Sequence, residues 1–273
     1  MKKAATRAGA RRVTPQAAAR APVSAVAAAP AASEGAPGPT RFERLDALRG
    51  VAIVWMATFH FCFDLNYFGF IHQNFYVDRF WTVQRACIVT LFMACVGAGQ
   101  AIASAQGQPW TRFWRRWLQI AGCAVLVSLG SWLMFPRSYI SFGVLHGIAV
   151  MLVVARLMSS WGAWRWPLGL VAIALPHLVA DPFFDSRATN WVGLVTRLPV
   201  TEDYAPVLPW MGVVWWGAAA TDALLARRPA LLAGALPRAA RPLAVLGRWS
   251  LSFYMLHQPV LIGLLWLVAT IGR

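Results

Sequence analysis

Seven apolar stretches dominate this sequence, at about 48–70, 84–105, 115–135, 139–158, 164–180, 207–226 and 249–271. Each is close to the ~20 residues a helix needs to cross a bilayer. In hydrocarbon the backbone must satisfy its own N–H and C=O groups, which selects helices or closed barrels. Hydrophobic residues make up 59% of the chain and charged residues 13%. A soluble domain carries about 25% charged residues, so these charges cannot coat a water-facing surface of this size. That excludes an ordinary cytosolic enzyme, and it excludes a disordered chain beyond the tail. The 15 tryptophans suit membrane interfaces. The expectation is an all-α, polytopic helical membrane protein with about seven transmembrane helices, within a range of about seven to nine. The fifth stretch is short and ends at Pro176-His177, and 229–236 and 242–247 are too short to span and read as interfacial. No internal repeat is visible.

Residues 1–40 are rich in Ala, Pro, Ser and Arg. Such a tail cannot bury enough apolar surface to fold, so it is expected to be disordered, leaving 41–273 as the membrane domain. It opens with Lys2, Lys3 and Arg7 like a signal peptide, but Pro22 and Pro30 break its Ala-rich stretch, and no cleavage is expected. The formal net charge of +15 comes from the tail and from alternate loops: Arg112, Arg115 and Arg116; Arg156 and Arg165; and Arg227 to Arg248. This is the positive-inside pattern rather than a nucleic-acid stripe. It predicts a cytoplasmic N-terminus in a bacterial inner membrane. The loop 181–206, with Asp181, Asp185, Glu202 and Asp203 against Arg187 and Arg197, is expected outside, although Arg137 also falls on that side. Cys62, Cys87, Cys95 and Cys123 lie in apolar stretches and read as small buried hydrophobes, not as a disulfide framework or a zinc site.

Ionisable residues at membrane depth cost about 2.5–3.5 kcal/mol each at mid-helix, so they mark candidate function. In the first span Asp46, Arg49, His60, Asp64 and Tyr67 fall within about 60° of one another at 100° per residue, and Ile53 and Met56 continue that face. His60 and Asp64, four apart, are helical neighbours. A carboxylate there would orient the imidazole and favour its protonated form, as in a general-base pair. The pair reads equally well as a structural tie between helices. A metal site would need further ligands, and none is expected. His146 in the fourth span and His257 in the last lie roughly 10–18 Å from a membrane face, as His60 does. Together the three suggest one central site, while each alone reads as a packing hydrogen bond. Pro259 is expected to kink the last span. His177 reads as interfacial, and His72 as a residue at a site mouth or facing water. Arg85 is placed to meet Asp64 or to snorkel. Arg112, Arg115 and Arg116 suit either the phosphates of coenzyme A or anionic lipid.

No phosphate loop, GxSxG elbow or HExxH is present. Residues 44–53 (RLDALRGVAI), then Phe59-His60-Phe61 and Asp64-Leu65-Asn66-Tyr67-Phe68-Gly69, resemble the opening of bacterial proteins with the heparan-alpha-glucosaminide N-acetyltransferase catalytic domain. Three later stretches agree: 142–149 (FGVLHGIA), 203–212 (DYAPVLPWMG) and 250–260 (SLSFYMLHQPV). The resemblance covers about 41–271, nearly the whole folded chain. It implies a transmembrane acyltransferase that moves an acyl group, typically acetyl, from cytosolic acyl-CoA to a sugar amine or hydroxyl across the membrane. It departs from the animal lysosomal enzyme, which has more spans and whose active histidine aligns nearer His72 than His60; loop lengths differ there, so both stay open.

The resulting expectation is an inner-membrane acyltransferase. His60, oriented by Asp64, is the base, and His146 and His257 position or polarise the carbonyl. Acyl-CoA docks near Asp46, Arg49, Arg115 and Arg116, with Arg85 as a further cofactor contact. The bilayer and an envelope glycan or glycolipid acceptor are the partners, with oligomerisation open. The rivals are a proton-coupled transporter using the same buried groups as a relay and a membrane scaffold.

Overall fold

The computed structural model describes residues 42–271; the expected disorder of residues 1–40 lies outside them. The described residues form helices and connecting turns, with no strand. In order they are α1 (Glu43–Tyr67), α2 (Arg79–Ala105), α3 (Trp110–Met134), α4 (Val144–Leu157), α5 (Arg165–Leu178), α6 (Val207–Arg227), α7 (Ala230–Ala233), α8 (Arg241–Arg248) and α9 (Ser250–Ile271). Each predicted span coincides with a helix, and the two short stretches become α7 and α8.

The span count differs from the expected seven. Four helices, α1, α2, α3 and α9, are long and apolar enough to cross a bilayer. A fifth span is added only if α4 and the segment up to Leu178 are taken together, and that pair bends by 106°. Fourteen residues rise about 21 Å as a helix, short of the ~30 Å hydrocarbon core, so neither α4 nor α5 spans alone. The break falls in the 3₁₀ turn Ser159–Trp164, where Gly162 has φ 50° and ψ −123°, a backbone state that disfavours a side chain. Pro259 lies inside α9, which runs continuously through it.

Small residues set the helix spacing. α2 packs along α6, where a Cβ on Gly97 would run into the Val214 carbonyl oxygen. α1 packs on α8, where a Cβ on Gly247 would run into the Asp46 carbonyl oxygen. Membrane helices lack a hydrophobic drive toward each other and associate through such close backbone contact. Around it a core forms from Met93, Ile120, Ala124, Val144, Leu145, Ile148, Met151, Met211 and Val214.

Polar ties fasten the rest. Arg165, 4% exposed, pairs with Asp222 and holds α5 to α6. Arg156 donates to Ser104 Oγ at 3.2 Å and to the Gln108 carbonyl, and stacks over Trp110. Both arginines, read from the sequence as loop charges, are internal fasteners. Phe59 and Phe63 of α1 form an aromatic cluster with Phe75 and Trp81, with Phe75 at its centre.

Gly97→Leu or Gly247→Leu places side-chain atoms into a neighbouring backbone, which cannot rotate away. Either should cost about 3 kcal/mol or more, the upper end of overpacking penalties, read as a lower thermal midpoint in detergent; Gly122→Leu, whose Cβ meets open space, should leave it unchanged.

Candidate active site

α1 and α9 cross with two imidazoles between them. His60 Nδ1 lies 2.7 Å from His257 Nε2, and the rings stack at 10° with centroids 5.0 Å apart. The other nitrogen of His257, Nδ1, lies 2.8 Å from the Tyr254 carbonyl oxygen and 3.2 Å from that of Phe253. A carbonyl only accepts, so Nδ1 of neutral His257 carries the proton and Nε2 is bare. His60 Nδ1 must then donate to it, which leaves His60 Nε2 with a free lone pair. The backbone of α9 thus sets the tautomer of His257, and His257 sets that of His60. The result is a base whose protonated form already has its second N–H bonded.

Asp64 does not orient His60. Its Oδ1 accepts from Gln258 Nε2 at 2.7 Å, a second α1–α9 bond one turn along. Four-residue spacing makes the two side chains neighbours, but Gln258 offers Asp64 a donor across the interface. Asp64 Oδ2 and Gln258 Oε1 are buried with no hydrogen-bond partner among the described residues.

His146 stands apart from this pair. It lies in the first turn of α4, not seven residues into a span. Its Nδ1 accepts from the Gly143 N–H at 3.2 Å and its Nε2 faces Ser128 Oγ at 3.1 Å, while Ser128 donates to the Ile140 carbonyl at 2.6 Å. With both nitrogens engaged it is a helix cap. Asp203 completes the cap: its Oδ2 accepts from the Val144 N–H at 2.7 Å and faces Tyr254 OH at 3.4 Å. The 181–206 loop therefore reaches α9 beside the histidines. Along this loop Tyr204 OH donates to the Asn190 carbonyl at 2.7 Å, and Ser138 Oγ donates to Glu202 Oε1 at 2.5 Å.

A cavity of about 430 Å³ opens on the α1 N-terminal end of the bundle. It is lined by Asp46 and Arg49 of α1, by α2 from Phe92 to Ala103, by Arg116 of α3, by α4 from Val144 to Leu152, and by Arg248 and Tyr254. The lining from Phe92 to Ala103 runs about 16 Å along α2. Its two ends differ. Arg49, Arg116 and Arg248 gather at one, with Asp46 bonded to Arg49 at 3.2 Å and 3.9 Å from Arg248. At the other stands Tyr254, whose ring centroid is 5.8 Å from that of His257.

The remaining sequence-predicted residues fall outside this cavity. Arg115 is exposed and not in the lining. Arg85 is exposed near the start of α2, about 15 Å along the helix from Cys95; its charge acts on Asp203 and Tyr76. His72 is exposed in the loop after α1. Tyr67 leaves the predicted polar face and is 62% exposed. Tyr254, Gln258, Asp203 and Ser128 were not singled out from sequence; the first three lie in the stretches that carry the family resemblance, and nothing in the sequence marks Ser128. Among the described residues no group of three or more His, Cys, Asp or Glu is placed to hold a metal ion.

The basic-mouthed cavity ends at Tyr254, beside the paired imidazoles, although neither His60 nor His257 lines it. The heparan-alpha-glucosaminide N-acetyltransferase catalytic family matches residues 41–259, and the chain belongs to that family of membrane acetyltransferases. No curated protein and no solved structure matches the chain.

Burial pushes the Asp203 carboxyl above the ordinary carboxylate range, against the pull of the Val144 N–H, Tyr254 and Arg85. A folded value above the unfolded one means that Asp203 stabilises the fold fully below its unfolded pKa and loses that contribution as pH rises through the raised one. Asp203→Asn removes this gain, so on acidification from about pH 7 to about pH 4, across the carboxylate range, its thermal midpoint should fall further than that of the wild type. His146→Ala should cost about 1 kcal/mol of stability, as a lost helix cap does, with the transfer rate of the folded fraction unchanged.

Proposed function

We propose that this protein transfers an acyl group, acetyl in the simplest case, from acyl-CoA to an amine or hydroxyl on the opposite side of the membrane. The observation that supports the reading is that the basic-mouthed cavity ends at Tyr254, whose ring centroid stands 5.8 Å from that of His257. We read this cavity of about 430 Å³ as the place of a coenzyme A thioester arm. Its charged end suits phosphates, which Arg49, Arg116 and Arg248 would hold by charge-assisted bonds, and its apolar length suits the arm that brings the thioester to Tyr254. The basic residues at that end put it on the cytoplasmic side of a bacterial inner membrane by the positive-inside rule. The loop carrying Asp203 then faces out, toward an envelope glycan or glycolipid.

His60 Nε2 is the general base. It takes the proton from the acceptor as the nucleophile attacks the thioester carbonyl. Its Nδ1–H, bonded to His257, spreads the charge of the imidazolium into the carbonyls of Phe253 and Tyr254. The leaving sulfur takes a proton from the same imidazolium. Acyl-CoA enters as substrate, so the chain needs no resident cofactor for this chemistry.

His60→Ala should lower the rate of acyl transfer, measured per folded protein, by about 10²–10⁴-fold, the contribution of a placed base; full activity removes His60 from the mechanism. His257→Phe, which cannot set the His60 tautomer, should lower kcat with little change in the KM for acyl-CoA. Arg116→Ala combined with Arg248→Ala should instead raise that KM by about tenfold or more, since each charge-assisted phosphate bond is worth about 1.5–3 kcal/mol, while kcat changes little.

A further inference from the structure

A second cavity, of about 660 Å³, lies between α3 and α9. On α3 its lining runs from Arg116 to Leu126, and on α9 and the two residues before it from Arg248 to Leu256. Only 11% of the apolar window of each helix is buried within the protein, so their outer faces meet lipid. Midway along the groove a Cβ on Gly122 would meet open space. The ten steps from Arg116 to Leu126 rise about 15 Å. That is half the ~30 Å hydrocarbon core, the depth of one leaflet. The charge is all at one end, where Arg116 and Arg248 stand; past Gln119 and Ser252 the lining is apolar. α3 holds three arginines and no acidic residue, and α9 has no Asp, Glu, Lys or Arg. Arg248 is shared with Glu43 at 3.2 Å and Asp46 at 3.9 Å. Arg116 donates to Gln119 Oε1 at 3.2 Å and has no carboxylate partner among the described residues. Beside them Trp249 is 66% exposed, as an indole at the headgroup level is.

We infer that this groove seats one anionic phospholipid, with its phosphodiester on Arg116 and Arg248 and one acyl chain lying over Gly122 toward Leu126 and Leu256. Basic pockets between membrane helices hold anionic headgroups in this way. A zwitterionic lipid brings its own cation beside the arginines and loses the advantage of its phosphate. A soluble anion gains nothing from the apolar length below the arginines. A second copy of the chain is disfavoured, because a two-fold contact through this face sets Arg116 and Arg248 of one copy near those of the other. Arg116, Arg248 and Leu251 also line the cavity of about 430 Å³. The two spaces therefore share their cations, and a lipid phosphate on the bilayer side competes with any phosphate at the cavity mouth. This consequence rests on the acyl-CoA reading, whereas the lipid seat does not.

The test is native mass spectrometry of the full chain released from nanodiscs of equal parts phosphatidylglycerol and phosphatidylcholine, where retained lipid and oligomeric state are both read from mass. The wild type is expected to retain one phosphatidylglycerol in preference to phosphatidylcholine by about tenfold or more, as two arginines near a headgroup supply. Gly122→Leu fills the groove without touching the arginines and is expected to lose that lipid. Gly263→Leu adds the same side chain to open space on α9 outside the groove and is expected to behave as the wild type. Arg116→Gln is expected to lower the preference by about fivefold. Equal retention of the two lipids by the wild type overturns the inference, as does phosphatidylglycerol retention unchanged in Gly122→Leu. A lipid-free dimer that Gly122→Leu dissociates overturns it in favour of a second copy. Acetyl-CoA affinity is then compared in nanodiscs of each lipid alone: it is expected to be weaker in phosphatidylglycerol, and the difference to shrink in Gly122→Leu. Equal affinity in the two lipids overturns the competition. Failure of the wild type to bind acetyl-CoA in either overturns the acyltransferase reading instead, and the lipid masses are read independently of it.

Discussion

A polar side chain inside a membrane protein has no water to fall back on, so it must find its partner on another helix. This constraint organises the bundle. His60 and His257, Asp64 and Gln258 bolt α1 to α9 at two successive turns. Arg165 and Asp222 bolt α5 to α6, and Arg156 ties the end of α4 to the α2–α3 connection. Glycines bring backbones into close approach at the α2–α6 and α1–α8 contacts. Helices that share only apolar surface can slide along or rotate about one another. Helices joined by short directional bonds hold one register.

The same bonds set the chemistry. Because His257 gives its Nδ1 proton to the α9 backbone, the lone pair of His60 is left on the far nitrogen. A neutral imidazole pair therefore has a direction, from His60 Nε2 toward the α9 carbonyls. The fold supplies the direction with ordinary helix geometry, three and four residues back along α9 from His257. The cavity reaches Tyr254, the residue whose carbonyl completes that chain.

α4 explains how material from two directions meets. At fourteen residues it is too short to cross, and its N-terminus is capped from the side by Asp203, His146 and, through His146, Ser128. The capping loop touches Tyr254 through Asp203. Tyr254 thus has the basic-mouthed cavity on one side and the 181–206 loop on another. Charge follows the same division, with arginines gathered at the cavity mouth and Asp185, Glu202 and Asp203 in the loop.

Much of this was legible in the sequence. Apolar runs mark every long helix, because burial from water is a property of composition along a segment. The spacing of Asp46, Arg49, Ile53, Met56, His60, Asp64 and Tyr67 predicts one inward face of α1; Asp46, Ile53, Met56 and Asp64 are buried, Arg49 and His60 are half-buried, and Tyr67 is exposed. Helical spacing also makes His60 and Asp64 neighbours, yet not partners, since an i,i+4 relation fixes Cβ positions and leaves the choice of hydrogen bond to whatever stands opposite. Hydropathy reads the fourth and fifth stretches as separate spans because it does not register the 106° bend between them, and it counts α6, which is not among the four helices long and apolar enough to cross by themselves. It also places His146 seven residues into a span rather than in the first turn of α4, because the loop before it carries apolar residues too. The one-dimensional pattern, then, determined that this chain is helical, membrane-embedded and furnished with histidines and carboxylates at depth. Which imidazole meets which, where each proton sits, and that the carboxylate turns to a glutamine were decided only when α1 and α9 packed, because hydrogen bonds across helices depend on register and rotation that no single segment encodes.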